Sequence, residues 1–316
     1  MDSNDQNTSA VLSVRNAVAN AIVGKDSVIL RVLLAMLARG HILLEDIPGV
    51  GKTTLAVAFS KALALKYSRI QFTPDILPSD VTGFSVYDKD TGSMSYTPGA
   101  VLCNLFLADE LNRATSRTQS ALLEAMEEGQ VTVDGITYTI EQPFIVIATQ
   151  NPVGAAGTQL LPESQVDRFM VRLSLGYPEH KDEVSLLERK QGKNLLDLVE
   201  TVLSSDDLER MREEVDKIHV DAAIFNYIVL LIGETRRHRD ILVGGSPRAS
   251  LALTAMSKAM AYVQGRDYVI PKDITPLITD TIAHRLVLRP GADNENITVE
   301  MILDSIIRTV SEPRIS

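Results

Sequence analysis

Cysteine is almost absent: only Cys103 occurs in 316 residues. No disulfide can therefore form within the chain, which suits a reducing compartment. Cys103 itself falls in an apolar, strand-like run, where a free thiol serves as packing. The opening residues, Met1 to Ala10, lack the basic n-region and apolar h-region of a signal peptide. They are rich in Asn, Asp and Ser and are expected to be flexible. No run approaches the roughly 20 apolar residues of a membrane span; the greasiest, Val28 to Leu44, is broken by Arg31, Arg39 and Gly40. Together these absences point to a soluble cytoplasmic protein. Positive charge is also short, with 31 Lys and Arg against 41 Asp and Glu and a formal net charge of −10. Such a balance disfavours general binding to a phosphate backbone. The five histidines, His41, His180, His219, His238 and His284, show no metal-ligand spacing. There is no internal repeat.

What is present is a chain with 45% hydrophobic residues, long enough for about two domains. Its first part alternates apolar runs with helical patterns, the mark of a parallel sheet with crossover helices. Strands are expected over His41–Glu45, Tyr67–Phe72, Leu102–Ala108, Phe144–Thr149 and Val171–Leu175, and helices over Val11–Ala21, Asp26–Ala38, Lys52–Leu65 and Ser116–Glu128. Purely apolar strands suit a sheet covered on both faces. Two hairpin-like insertions interrupt the alternation. One runs from Gly83 to Gly99 with a turn at Asp90–Thr91–Gly92; the other runs from Gly129 to Gln142 and turns at Asp134-Gly135, a strong two-residue hairpin signal. From Pro178 the pattern becomes helix after helix, over Ser204–Ile218, Ala222–Arg237, Pro247–Gln264, Pro271–His284 and Thr298–Val310. The expected organisation is a flexible start (1–10), an α/β core (11–177) and a helical region (178–316).

The sharpest motif is Glu45-Asp46-Ile47-Pro48-Gly49-Val50-Gly51-Lys52-Thr53-Thr54, which follows an apolar strand and opens a helix. That is the context of a phosphate-binding Walker A loop. Glycines at 49 and 51 let backbone N–H groups curl around phosphate oxygens, and the helix aims its N-terminus at the same anion. Lys52 would reach the β- and γ-phosphates, and the Thr53 hydroxyl would bind Mg²⁺. Asp46 stands where the strict pattern has glycine, so its side chain must point away from the phosphates. Asp109 and Glu110 end another apolar strand, at the edge where open α/β sheets bind ligands. Asp109 would hold Mg²⁺ and Glu110 would orient and deprotonate the attacking water. Asn151, in Gln150-Asn151-Pro152 at the end of a further strand, would contact the γ-phosphate and that water. Arg168 is a candidate for a neighbouring subunit's γ-phosphate, with Arg113 a rival. Arg248, following Pro247 in the first turn of a helix, would grip a phosphate from the helical region.

These runs resemble the AAA+ ATPases and, within them, the MoxR family: Leu44-Glu-Asp-Ile-Pro-Gly-Val-Gly-Lys-Thr53, Leu107-Ala-Asp-Glu-Leu-Asn-Arg-Ala114, Thr118-Gln-Ser-Ala-Leu-Leu-Glu-Ala-Met-Glu127, Ile147-Ala-Thr-Gln-Asn-Pro152 and Leu161-Pro-Glu-Ser-Gln-Val-Asp-Arg-Phe169. The resemblance runs from about Ala21 to Leu288. It implies a P-loop NTPase core with a C-terminal all-helical lid, ATP and Mg²⁺ as ligands, and a ring, expected to be hexameric. It further implies that Ile22, Val23 and Gly24 cup adenine, that Pro48 to Thr54 hold the phosphates, that Asn151 is sensor 1, Arg248 sensor 2 and Arg168 the arginine finger. Both insertions would face the ring's pore. Relatives of this kind look like chaperones that assist complex assembly or metal-cofactor insertion, often with a separate partner carrying a von Willebrand factor A domain. Two other functions compete with the remodelling of protein clients: a nucleic-acid motor of helicase type, and a nucleotide switch with little turnover. The insertions argue against the motor, since the first holds Asp88, Lys89 and Asp90 and the second has Asp134 but no Lys or Arg from Val131 to Ile140, whereas strand-tracking channels are basic. Glu110 and Asn151 argue against the switch.

Overall fold

A computed structural model describes residues 3–314 apart from 91, 152–160, 193 and 293–295. The chain runs α1 (Ser3–Ala19), α2 (Asp26–Leu37), β1 (Ile42–Glu45), α3 (Lys52–Ala62), β2 (Tyr67–Gln71), α4 (Pro78–Thr82), β3 (Gly83–Asp88), β4 (Ser93–Pro98), β5 (Leu105–Asp109), α5 (Ser116–Glu128), β6 (Gln130–Val133), β7 (Ile136–Thr139), β8 (Ile145–Gln150), α6 (Glu163–Val166) and β9 (Val171–Leu173). Then follow α7 (His180–Arg189), α8 (Ser205–Asp216), α9 (Ala222–Arg237), β10 (Ile241–Val243), α10 (Pro247–Val263), α11 (Pro271–Ile274), α12 (Ile278–Ile282), β11 (Val287–Leu288) and α13 (Val299–Thr309).

Five strands form one parallel sheet in the order β2-β5-β8-β1-β9. Successive side chains on a strand point to opposite faces, and here both faces are apolar. Ile42, Leu44, Leu105, Leu107, Ile145 and Ile147 join the core built with α1, α2, α3 and the C-terminal helices. Leu43, Phe106, Ala108, Val146 and Ala148 join a second core under α5. Each buried Leu, Ile, Val or Phe among them contributes about 1.5–3 kcal/mol, which is why the central strands β1, β5 and β8 read as apolar runs. Because the sheet is parallel, the carboxyl ends of β1, β5 and β8 lie side by side at one edge.

The two insertions are antiparallel hairpins, β3–β4 and β6–β7. Asp134 and Gly135 take φ values of 50° and 79°, the pair of positive angles a two-residue turn needs. At the neck of the other hairpin a Cβ on Gly99 would lie 2.2 Å from the Gly83 nitrogen, so only glycine lets the strands meet there. The hairpins touch: Tyr96 and Tyr138 stack with ring centroids 3.7 Å apart.

Local departures from expectation have local causes. The helix expected from Val11 begins at Ser3, so the segment read as flexible is helical from that point; no Gly or Pro interrupts it, and a nucleated helix propagates at one backbone bond per residue. The strand expected from Leu102 begins at Leu105. Asn104 instead accepts the Lys66 N–H at 3.0 Å and donates to the Pro143 carbonyl at 3.2 Å, tying two loops. Pro276 lacks the N–H a continuous helix requires, and Pro271–His284 accordingly splits into α11, α12 and 3-10 turns. The C-terminal region is not wholly helical, because the extended chain after α9 finds a backbone partner and β10 pairs antiparallel with β11. Among the described residues no helix is long and apolar enough to cross a membrane.

Two histidines, His284 buried and His41 half-buried, are held neutral. The Nε2 of His41 lies 3.1 Å from the Met126 carbonyl and its Nδ1 accepts the Val146 N–H at 3.0 Å, so the ring proton sits on Nε2. Burial pushes this imidazole down to about 4. His284, 3.1 Å from the Phe169 carbonyl, is held well below the usual range by burial and then by the adjacent Arg285 cation. In the unfolded chain both rings take up protons below about pH 6.5, while the fold resists protonation. Stability should therefore fall as pH drops from about 6.5 towards 4. Urea midpoints measured across that window should decline, less steeply in His41→Asn; midpoints that stay level would remove the rings from this role.

Candidate functional site

Beyond β1 the chain turns through Asp46 to Gly51 into α3. Gly49 and Gly51 have φ of 89° and 99°, and Gly51 is the left-handed N-cap of α3. No acidic residue occupies the first turn of that helix, so its positive end faces the loop unneutralised, ready for an anion. Lys52 is buried at this point. Its Nζ donates to the carbonyls of Asp46 at 2.5 Å and Ile47 at 3.1 Å and approaches Asn151 Oδ1 at 3.4 Å. Burial lowers its pKa, opposed by the carboxylates of Asp46, Asp109 and Glu110.

The acid at the position of a Walker glycine turns out of the loop. Asp46 Oδ1 accepts the Ile47 N–H at 2.8 Å, while Oδ2 accepts the Ser174 hydroxyl at 2.9 Å and the Gly176 N–H at 2.6 Å. Burial pushes this carboxyl up, but the hydrogen bonds outweigh it and hold it below its ordinary value. Asp46 thus clips the loop to the segment that leaves β9 for the helical region.

Opposite Lys52 stand the acids at the end of β5. Asp109 Oδ1 accepts the Thr149 hydroxyl at 2.7 Å; Oδ2 lies 3.4 Å from Thr53 Oγ1 and accepts Arg69 at 2.7 Å and 3.2 Å. Thr149 also accepts the Glu110 N–H at 2.8 Å. Glu110 has φ 57°, a left-handed backbone that costs an L residue roughly 1–2 kcal/mol. Its Oε1 accepts Asn151 Nδ2 at 3.1 Å and its Oε2 accepts Arg113 at 2.7 Å. Pro48, Gly49, Gly51, Lys52, Thr53, Thr54, Asp109, Glu110 and Asn151 together line one open cleft of about 290 Å³. Hard oxygen donors from Thr53 and Asp109 fit a magnesium ion. Among the described residues no cluster of three or more His, Cys, Asp or Glu forms, so such an ion would share its ligands with phosphate and water.

A second hollow of about 290 Å³ adjoins the loop. Ile22, Val23, Gly49, Val50, Gly51 and Thr54 line it from the core, and Pro178, Leu186, Lys190 and Asn194 to Leu196 close it from beyond β9. Gly24 does not line it. A Cβ there would sit 2.0 Å from Asp182 Oδ2, so this glycine lets α7 approach. The closing residues carry no motif; only their placement in the fold marks them.

Arg168 and Arg248 lie elsewhere. Both pair with Glu127 at the end of α5 and line a separate cleft of about 360 Å³. Neither lines the cleft of Lys52. The structure therefore brings Arg113, not Arg168 or Arg248, to the acids of the same chain. Arg69, Thr149 and Glu127 belong to these networks without standing in any phosphate-site pattern. Pro152, after Asn151, and Thr91, in the first hairpin's turn, lie outside the described residues.

Comparison with known proteins bears on this architecture. Residues 41–171 match the profile of the ATPase family associated with various cellular activities (AAA), and residues 233–306 match that of the AAA lid domain. The chain is 46% identical to the uncharacterized protein YeaC of Bacillus subtilis, over 92% of this chain and 91% of that one. It is 38% identical to Chaperone MoxR1 of Mycobacterium tuberculosis, over 95% and 81% respectively. A solved structure from Cytophaga hutchinsonii superposes with a TM-score of 0.91 at 38% identity, covering 98% of this chain and 97% of the other. The AAA and AAA lid matches, on a parallel sheet that carries this loop and these carboxylates, together with 38% identity to MoxR1 over most of both chains, mean that the chain belongs to the MoxR family of AAA+ ATPases.

Proposed function

We propose that the protein hydrolyses ATP to ADP and phosphate within a ring of identical subunits, expected to be hexameric, and uses the cycle to remodel or mature protein clients. The observation that carries this reading is the convergence of Lys52, Thr53, Asp109, Glu110 and Asn151 on one cleft at the carboxyl edge of the sheet. In it, backbone amides and Lys52 hold the triphosphate, and the hollow beside Ile22 and Val23 takes the base. Bound magnesium would supply positive charge on the phosphate oxygens from Thr53 and Asp109. Glu110 takes a proton from the attacking water, and Asn151, which touches both Lys52 and Glu110, links phosphate binding to water placement. Arg168 and Arg248, remote from their own cleft, serve the γ-phosphate of an adjoining copy.

The hairpins favour a protein client over a nucleic acid. Phe84, Val86, Tyr87, Met94 and Ile136 are exposed apolar side chains on these strands, a surface suited to polypeptide. Tyr96 and Tyr138 stack on each other and so do not offer a free platform for bases. The name of MoxR1 as a chaperone points the same way. Complex assembly or metal-cofactor insertion, in the cytoplasm and with a partner bearing a von Willebrand factor A domain, completes the reading on family resemblance.

Lys52→Ala should weaken ATP binding by about 10- to 100-fold, the loss of one charge-assisted contact; calorimetry giving unchanged affinity would contradict the assignment. Glu110→Gln should keep ATP binding and lower turnover by about 10²- to 10⁴-fold, the range for a general base, and turnover equal to wild type would remove Glu110 from that role. Activity per subunit should rise with protein concentration over the range where sedimentation shows assembly. A flat profile there would speak against arginines supplied between copies.

A further inference from the structure

Arg168 of the core and Arg248 of the lid both converge on the carboxylate of Glu127. Its Oε1 accepts Arg248 Nη2 at 2.7 Å, and its Oε2 accepts Arg168 Nη1, which also reaches the Leu123 carbonyl at 3.3 Å. We infer that Glu127 is a positioning residue that holds these two guanidinium groups together as a single two-pronged cation for the phosphate of an adjoining copy. The inference rests on the between-copy role proposed above and adds the group that sets its geometry.

Three observations carry it. First, two like charges brought to one place need a counter-charge between them, and Glu127 divides its oxygens one to each. The trio retains one net positive charge, the sign required for an anion. Second, neither guanidinium is used up. Each has five N–H donors and spends only one of its nitrogens here, while Arg248 is half exposed and both open onto the cleft of about 360 Å³ beside Leu251, itself 70% exposed. Third, the backbone flanking Arg168 is braced from the lid. Arg285 donates to Asp167 Oδ1 at 2.5 Å and to the Phe169 carbonyl at 2.7 Å, and the Ser246 hydroxyl lies 3.4 Å from Asp167 Oδ2. Arg168 is thus held through its two neighbours by the lid and through its side chain by Glu127, and the Glu127 bridge is the contact that registers it with Arg248. An ordinary surface ion pair would affect stability slightly and leave turnover untouched.

The test is steady-state ATP hydrolysis by full-length Glu127→Gln at concentrations where rings form, alone and mixed with Glu110→Gln subunits. Alone, Glu127→Gln should lose about 10- to 100-fold in kcat, the cost of misplacing a catalytic group by about an ångström, with KM for ATP and the thermal unfolding midpoint near wild type. In mixed rings its intact cleft should meet the intact arginines of Glu110→Gln subunits, and activity should return. Arg168→Ala in the same mixture is the control. Wild-type kcat in Glu127→Gln overturns the inference. So does a defect that Glu110→Gln subunits fail to repair while they do repair Arg168→Ala, since Glu127 would then act within its own subunit. If Arg168→Ala itself is not repaired, the between-copy reading falls, and the inference with it.

Discussion

The site depends on one constraint: β1, β5 and β8 are parallel and adjacent, so their carboxyl ends meet. Each strand contributes one component. The loop with Lys52 follows β1, Asp109 and Glu110 end β5, and Thr149 with Asn151 ends β8. None of these groups could approach the others from an antiparallel sheet of the same sequence. The apolar faces that drive the strands into a doubly covered layer are thus also what brings a buried lysine within reach of an asparagine 99 residues away.

Charge in the cleft is balanced by geometry that burial makes strict. Lys52 is desolvated and faces Asp46, Asp109 and Glu110. Each of those acids has a further partner drawing it in a set direction: Ser174 and Gly176 for Asp46, Arg69 and Thr149 for Asp109, Arg113 and Asn151 for Glu110. The departure from the glycine of the Walker pattern is explained here. A carboxylate at position 46 is tolerated because two donors outside the loop, Ser174 and Gly176, take it, and the result is a tether between the loop and the start of the helical region.

The arginines obey a different logic. Arg168 and Arg248 come from the two halves of the chain yet meet at Glu127, on a surface that does not include their own phosphate cleft. The pair lines a cleft of its own, apart from the one that holds Lys52, Asp109 and Glu110, which is the separation the proposed between-copy role requires. Lid and core are joined along this seam by Arg285, His284 and Ser246, so the angle between them bears directly on where the pair points.

Local features were legible in the sequence by itself. Apolar runs marked the central strands β1, β5 and β8, Gly49 and Gly51 before Lys52 marked the loop, Asp134-Gly135 marked a hairpin, and Ser204 marked a helix start that is now seen to be capped. All of these signals act over a few residues, where propensity and turn chemistry decide. The tertiary structure alone decided what Asp46 binds 128 and 130 positions on, that Arg69 grips Asp109, that Tyr96 spends its ring on Tyr138, and that Arg168 and Arg248 share Glu127. Those partners are chosen by strand order and by the docking of the lid. Hydrogen bonds and ion pairs reach only about 3 Å, so which groups fall within that distance is settled when the layers pack and not before.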